Sequence, residues 1–195
     1  MKRREFIKRA GVFSLLIFNG ARFAFISARK SIIRPPGSVT EDDFNYKCIR
    51  CSKCMLVCPA KCLKPVTIEQ GIAEWGSPQI IPRQAGCIMC MNCSKVCPSA
   101  AIVKVKDSAV KIGTAMIDKS RCLVWGQSKD CLVCMEYCPF GAIYVDSKNR
   151  PVVNEDLCMG CGLCEQSCPV EGKSAINVSN RGEKRYSLRE KKLKG

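Results

Sequence analysis

The sequence predicts a small, loop-rich α+β fold organised round four copies of one motif. Three observations predict it. Cysteine supplies 17 of the 195 residues and histidine none. The cysteines fall in tight groups that recur four times along the chain. The rest of the core is thin, because the 47% hydrophobic content includes every cysteine and aromatic residues make up only 7%. A chain of this kind needs covalent or metal cross-links to hold its loops.

The recurring groups share one frame. The first is Cys48-x2-Cys51-x2-Cys54-x3-Cys58-Pro59, the second Cys87-x2-Cys90-x2-Cys93-x3-Cys97-Pro98, and the fourth Cys158-x2-Cys161-x2-Cys164-x3-Cys168-Pro169. The third is altered to Cys122-x8-Cys131-x2-Cys134-x3-Cys138-Pro139. Disulfide cysteines are usually spread at irregular spacing, and neighbours this close rarely pair with each other. One metal centre can take several of them. Three cysteines at intervals of three wrap a loop round one corner of a cube-shaped iron–sulfur cluster, with backbone N–H groups aimed at the sulfurs. Structural zinc is the competing reading, but zinc sites do not usually carry this frame ending in Cys-Pro. The absence of histidine also argues against haem and mixed Cys/His zinc. Sixteen cysteines therefore read as ligands of four [4Fe–4S] clusters. Cys62 stands outside the frame. It reads as a fifth ligand, a redox switch or, most simply, a small buried hydrophobe.

The flanks repeat as well. Ala100-Ala101-Ile102, Gly141-Ala142-Ile143 and Ser174-Ala175-Ile176 follow their motifs, and short alternating stretches such as 102–105 and 143–145 read as strands. Residues 146–151 have hairpin-turn chemistry, with Val152-Val153 as the return strand. The small residues would let a helix pack close to a cluster and the isoleucines wall it from water. The plainer reading is that these are ordinary core residues, and both readings hold where the clusters are the core. Trp125, in the long gap of the third motif, reads either as a cluster shield or as a packing residue.

The chain starts Lys2-Arg3-Arg4-Glu5-Phe6-Ile7-Lys8 and continues into a short apolar stretch, residues 10–18. This matches a twin-arginine export signal and is too short to span a bilayer. Export of a folded protein suits a chain that must take up clusters before it crosses. Residues 31–38, with Pro35-Pro36-Gly37, read as an extended linker. The expected layout is a signal segment over 1–28, a linker over 29–40, modules over 41–113 and 114–180, and a basic tail over 181–195.

The formal charge of +15 suggests nucleic acid or an anionic surface. Residues 1–28 hold six of the Lys/Arg against Glu5 alone, which leaves +10 for the remainder. Each oxidised cluster with four thiolates contributes roughly −2, which brings the loaded chain to about +2. No nucleic-acid partner is expected.

The layout resembles the bacterial two-cluster ferredoxin fold, present twice. In that fold the last cysteine of each motif reaches across to the other cluster. Pairing of neighbouring motifs would let Cys97 complete the set of Cys48, Cys51 and Cys54; a nested pairing of first with fourth remains open. The twin-arginine signal, the Arg34-Pro35-Pro36-Gly37 lead-in and the long first gap of the third motif together resemble the NapG/MauM group of ferredoxin-type proteins. That resemblance implies a periplasmic electron carrier at the membrane face. Its electrons would come from a quinol-oxidising membrane polyferredoxin of the NapH kind and pass to a periplasmic reductase or a c-type cytochrome. Two other readings are a subunit of a membrane-bound oxidoreductase, and an accessory or assembly factor whose clusters are structural. No catalytic residue is expected, since sixteen matched cysteines leave no open iron.

Overall fold

The computed structural model of the chain describes residues 32–105, 110–127 and 129–187. The expected signal segment and residues 188–195 of the basic tail lie outside these. Among the described residues no helix is long and apolar enough to cross a membrane.

The elements are short, none of those described longer than seven residues. Helix α1 is Glu41–Lys47. Three acidic residues in its first turn and Lys47 in its last suit the helix dipole, and Phe44 is its buried face. Single-turn helices α2 (Lys53–Leu56) and α3 (Asn92–Lys95) lie within the first two motifs. Helix α4 (Leu123–Gln127) fills the long gap of the third motif, which continues into α5 (Val133–Glu136). Helix α6 (Leu163–Ser167) belongs to the fourth.

Six strands form three antiparallel pairs. Strand β1 (Leu63–Pro65) pairs β2 (Pro78–Ile80), β3 (Thr114–Ile117) pairs β6 (Ile176–Ser179), and β4 (Ile143–Val145) pairs β5 (Pro151–Val153). The β4–β5 hairpin turns as expected. The Asp146 carboxylate accepts from the Lys148 and Arg150 amides at 2.9 and 3.0 Å, and Asn149 takes the left-handed conformation.

The same plan occurs twice. A hairpin within each repeat, β1–β2 or β4–β5, is joined by a pairing of the repeat's two ends. In the second repeat that pairing is β3–β6. In the first it shrinks to residues 37–39 against 101–103, with a bridge from Ser38 to Ile102 and the Val103 amide bonded to Gly37 O at 2.8 Å. The stretch 102–105, expected as a strand, is therefore only a bridge, because its partner leaves the prolines at 35–36 with few residues to offer.

Residues 32–39, suggested as linker by their prolines, are packed. Val39 is fully buried and Arg34 is 1% exposed. Arg34 donates to Ser77 Oγ at 2.7 Å and Pro78 O at 2.8 Å, pairs with Glu41, and lies 4.5 Å from the centre of the Phe44 ring. A buried guanidinium must find partners for its donors, and here every partner belongs to the first repeat. Pro35 opens a turn, closed by the Ser38 amide donating to Pro35 O at 3.2 Å, before Ser38 and Val39 bridge Ile102 and Tyr186.

The repeats abut along a narrow seam. The Cys87 amide donates to Cys161 O at 2.7 Å and the Ile112 amide to Met159 O at 3.0 Å. Arg83 donates to three carbonyls beyond the seam: Glu165 O at 3.1 Å, Cys168 O at 2.8 Å and Val170 O at 2.7 Å. The seam admits no side chain at two glycines. A Cβ on Gly160 would lie 2.5 Å from the Gly113 nitrogen, and one on Gly162 would lie 2.6 Å from Pro82 Cβ. Both glycines also have positive φ.

Candidate cluster-binding sites

The sixteen cysteines sort into four sets, each around its own cavity. Cys48, Cys51 and Cys54 meet Cys97, and Cys87, Cys90 and Cys93 meet Cys58. Cys122, Cys131 and Cys134 meet Cys168, and Cys158, Cys161 and Cys164 meet Cys138. These are the first to fourth sites. Every set takes three cysteines from one motif and the last cysteine of its neighbour. The geometry is thus that of adjacent motifs with exchanged ends; no set is drawn from the nested arrangement.

Local backbone explains the wrapping. In the first, second and fourth motifs the residues on either side of the second cysteine have positive φ: Arg50 and Ser52, Met89 and Met91, Gly160 and Gly162. Two left-handed residues coil the loop inward and turn amides toward sulfur. The Arg50, Met89 and Leu163 amides each stabilise the thiolate of their loop, at Cys48, Cys87 and Cys161. The third motif lacks these turns. Its Leu132 has φ −126°, and α4 carries the chain from Cys122 toward Cys131 instead.

The cavity walls repeat too. Ala101 and Ile102 line the first site, Ala175 and Ile176 the third, and Ala142 and Ile143 the fourth. The second site has Cys62 and Leu63 there. Cys62 follows Cys58 by the interval that separates Ala101 from Cys97 and Ala142 from Cys138. It is a small buried residue, 2% exposed, as its simplest reading held. It also faces a cluster cavity, its sulfur 3.5 Å from that of Cys58. Hydrogen bonding to Cys87, with burial, holds its proton firmly, and the same bond lowers the Cys87 thiol. Aligning the four flanks position by position would have located it.

Trp125 lines none of the four cysteine-walled cavities; it borders a separate open cleft with Lys119, Pro151 and Val153. Its indole N–H donates to Pro151 O at 3.0 Å, and Pro151 lines the third site. The ring lies 4.3 Å from the Lys119 ammonium and 3.9 Å from the Arg150 guanidinium, measured from its centre. It is a packing residue that backs the site's wall. Trp75 is exposed, and its carbonyl accepts from Arg50 Nε at 2.7 Å.

The donor sets suit a four-iron cluster better than a single ion. A zinc ion draws its thiolates to about 2.3 Å. Among the described residues no three Cys, Asp or Glu side chains are arranged to hold one metal ion. The sets instead stand round four separate cavities, each walled by three cysteines of one motif and the last cysteine of its neighbour. Four sulfur sets so alike suit four copies of one guest. Without a guest the thiols are ill at ease. Burial first, and neighbouring sulfurs next, push Cys54 up to about 11, Cys93 to about 12 and Cys134 to about 11, and burial above all raises Cys161 to about 11. Cys168 is lowered: burial opposes its charge, but the Ser174 hydroxyl and the Val170, Ala175 and Ile176 amides outweigh it.

Comparison with known proteins agrees with this geometry. Models described as 4Fe-4S dicluster domains match residues 47–103, 86–142 and 128–171. The ferredoxin-type protein NapG of Escherichia coli is 35% identical over 163 residues, which is 75% of this chain and 69% of NapG. The methylamine utilization ferredoxin-type protein MauM of Methylorubrum extorquens is 32% identical over 168 residues, 79% of this chain and 75% of MauM. The ferredoxin-type protein NapF of Haemophilus influenzae is 35% identical over 176 residues, 87% of this chain and 90% of NapF.

Proposed function

The chain belongs to the NapG/MauM group of ferredoxin-type iron–sulfur proteins, and on that premise we propose that it is a periplasmic relay of four [4Fe–4S] clusters. The supporting observation is the sorting of sixteen cysteines into four sets of four, each around its own cavity. Bound clusters supply one-electron chemistry. The chain's own cysteines would hold the irons, loop amides are aimed at sulfur, and an Ala–Ile pair walls three of the sites, with Cys62 and Leu63 in that place at the second. Each amide lowers the cost of an added electron by favouring negative charge on its sulfur.

All sixteen frame cysteines are used in these sets, so no iron is left open to bind a substrate. The role is electron transfer, not catalysis. The proposed donor is a quinol-oxidising membrane polyferredoxin of the NapH kind, and the proposed acceptor a periplasmic reductase or c-type cytochrome. The relatives' names, ferredoxin-type throughout and methylamine utilization for MauM, support an electron-transfer role, and the class of partner is what the resemblance to the group implies.

Anaerobic purification should yield about sixteen irons and sixteen acid-labile sulfides per chain, with all four centres redox-active in an EPR-monitored titration. About eight irons, or stoichiometric zinc, would overturn the cluster count; centres inert at physiological potentials would favour a structural role. Export is proposed to follow Arg3-Arg4-Glu5-Phe6-Ile7-Lys8. Arg3→Lys with Arg4→Lys should strand loaded protein in the cytoplasm, and undiminished periplasmic accumulation would refute that route.

A further inference from the structure

Resting on the four-cluster reading above, we propose that electrons pass between the two modules where Cys87 meets Cys161, so that the sites are visited in the spatial order first, second, fourth, third. That order departs from the order of the motifs along the chain. Cys87 belongs to the second site and Cys161 to the fourth, and their backbones share one hydrogen bond of 2.7 Å, amide to carbonyl.

Inside each module the link is the exchanged cysteine. Cys97 leaves the second motif to complete the first site, and Cys168 leaves the fourth motif to complete the third. Between modules, the joint is made by residues that surround the second and fourth sites. Met159, Gly160 and Gly162 line the fourth site and bear on Ile112, Gly113 and Pro82. The close backbone approach needs both glycines. The first site is walled by Phe44, Ala101 and Ile102 of its own module, and the third by Leu123, Val170 and Ile176 of its own. Arg83 crosses the seam to the Cys168 carbonyl, but it carries no sulfur; it fastens the joint by neutralising carbonyls at the end of α6.

Electron transfer weakens steeply with distance, so the nearest pair of sites across the seam carries the current. The step is simple in its balance. One electron leaves one site and enters the other, the donor site gains one unit of charge and the acceptor loses one, and no bond or proton has to move. The arrangement leaves the first and third sites at the ends.

Two reduced variants test the order. Cys48→Ala with Cys54→Ala and Cys131→Ala with Cys134→Ala removes the first and third ligand sets. Cys90→Ala with Cys93→Ala and Cys161→Ala with Cys164→Ala removes the second and fourth. Each should retain about eight irons, and iron far below that would indict the ligand sets themselves, not the order. With iron retained, EPR of the fully reduced first variant should show spin–spin splitting between its two centres, and the second variant should show two uncoupled spectra. Coupling confined to the second variant, or equal in both, would overturn the proposal. If the reduced chains do not fold, the intact chain decides it. Arg83→Ala should keep all the iron, speed hydrogen exchange at the Cys87 amide at least about tenfold, and weaken the spin coupling. Arg121→Ala, which loses bonds to Lys173 O and Glu171 O away from the seam, is the control. Unchanged coupling in Arg83→Ala despite faster Cys87 exchange would also overturn it.

Discussion

The first and third sites occupy the same place in their modules, yet they are closed by different means. The first wraps Cys48, Cys51 and Cys54 with a seven-residue span held by two left-handed residues, Arg50 and Ser52, and leaves Cys51 exposed. The third spends eight residues between Cys122 and Cys131, folds them into α4, and anchors the insertion through Trp125 to Pro151. Both end with four sulfurs around one space. A cluster site therefore asks for sulfur positions, and the chain can meet them with backbone strain or with packed structure. The first solution costs about 1–2 kcal/mol per left-handed residue; the second needs a tryptophan held between two cations. The expected differences in mutational response follow from that contrast.

The largest effect is at the ligands. Cys134→Ala should remove the third centre, lowering iron by about a quarter, and loosen 122–138 to protease, because ligation there is also folding energy. Cys62→Ala should keep all four centres and cost only about 1 kcal/mol. It installs the residue that the repeat carries as Ala101 and Ala142. Iron content and visible absorption make the comparison. Loss of a centre in Cys62→Ala with retention in Cys134→Ala would reverse the ligand assignment.

The next effect belongs to the cluster-free chain and its pH. Cys54, Cys93, Cys134 and Cys161 have thiols raised to about 11 or 12 when folded. An unfolded thiol ionises near pH 8.5. Between these values the unfolded chain has released protons that the folded chain still holds, so raising pH favours unfolding. The stability from these thiols is fully present below about pH 8.5 and is lost as pH climbs toward about 11. Cluster-free protein should melt at falling temperature over that window, and loaded protein, whose thiolates are already ionised on iron, should not follow it. A flat melting temperature from pH 8 to 11 in the cluster-free chain would contradict the burial of these sulfurs.

Much of this site was legible and some was not, for physical reasons. The frame of each motif is local, so sixteen cysteines and the β4–β5 hairpin could be read from spacing and turn residues, whereas the exchanged ends came from the resemblance to two-cluster ferredoxins, with adjacent and nested pairing both open. Three features are long-range. Arg34 finds Ser77 and Pro78 forty residues on, which turns a proline-rich lead-in into core. Arg83 and the glycines at 160 and 162 make a seam whose partner surface is invisible in a linear pattern. The α4 insertion carries no strong helical period, and it is the fold around Cys122 and Trp125 that makes it a helix.

Trp125 gives the third effect. Trp125→Ala removes the ring between Lys119 and Arg150 and the bond to Pro151, and should cost about 2 kcal/mol for a half-buried indole. Trp125→Phe keeps the ring and loses only the N–H bond, about 1 kcal/mol. Both should hasten oxidative loss of the third centre and leave the first untouched. Equal lability of the two centres would mean that the insertion is not what supports the third site.

The smallest effect separates the two solutions most directly. Ser52 sits at φ 61°, is exposed, and makes no side-chain cap to α2. Glycine at this position, as the fourth motif has at Gly162, removes the left-handed penalty of about 1–2 kcal/mol. It also gives the unfolded chain more freedom, which takes back about 0.4–1 kcal/mol. Ser52→Gly should therefore stabilise by about 0.5 kcal/mol, with the cluster frame intact. Leu132 holds the matching place in the third motif, at φ −126° where glycine relieves nothing. Leu132→Gly should destabilise, through the same unfolded-state freedom and through the packing of a half-buried leucine. Opposite signs in thermal melts of the two variants, each at full iron, are the expected outcome. If Ser52→Gly destabilised like Leu132→Gly, the left-handed turn of the first motif would be carrying no strain, and the two ways of closing a site would not differ in where their cost lies.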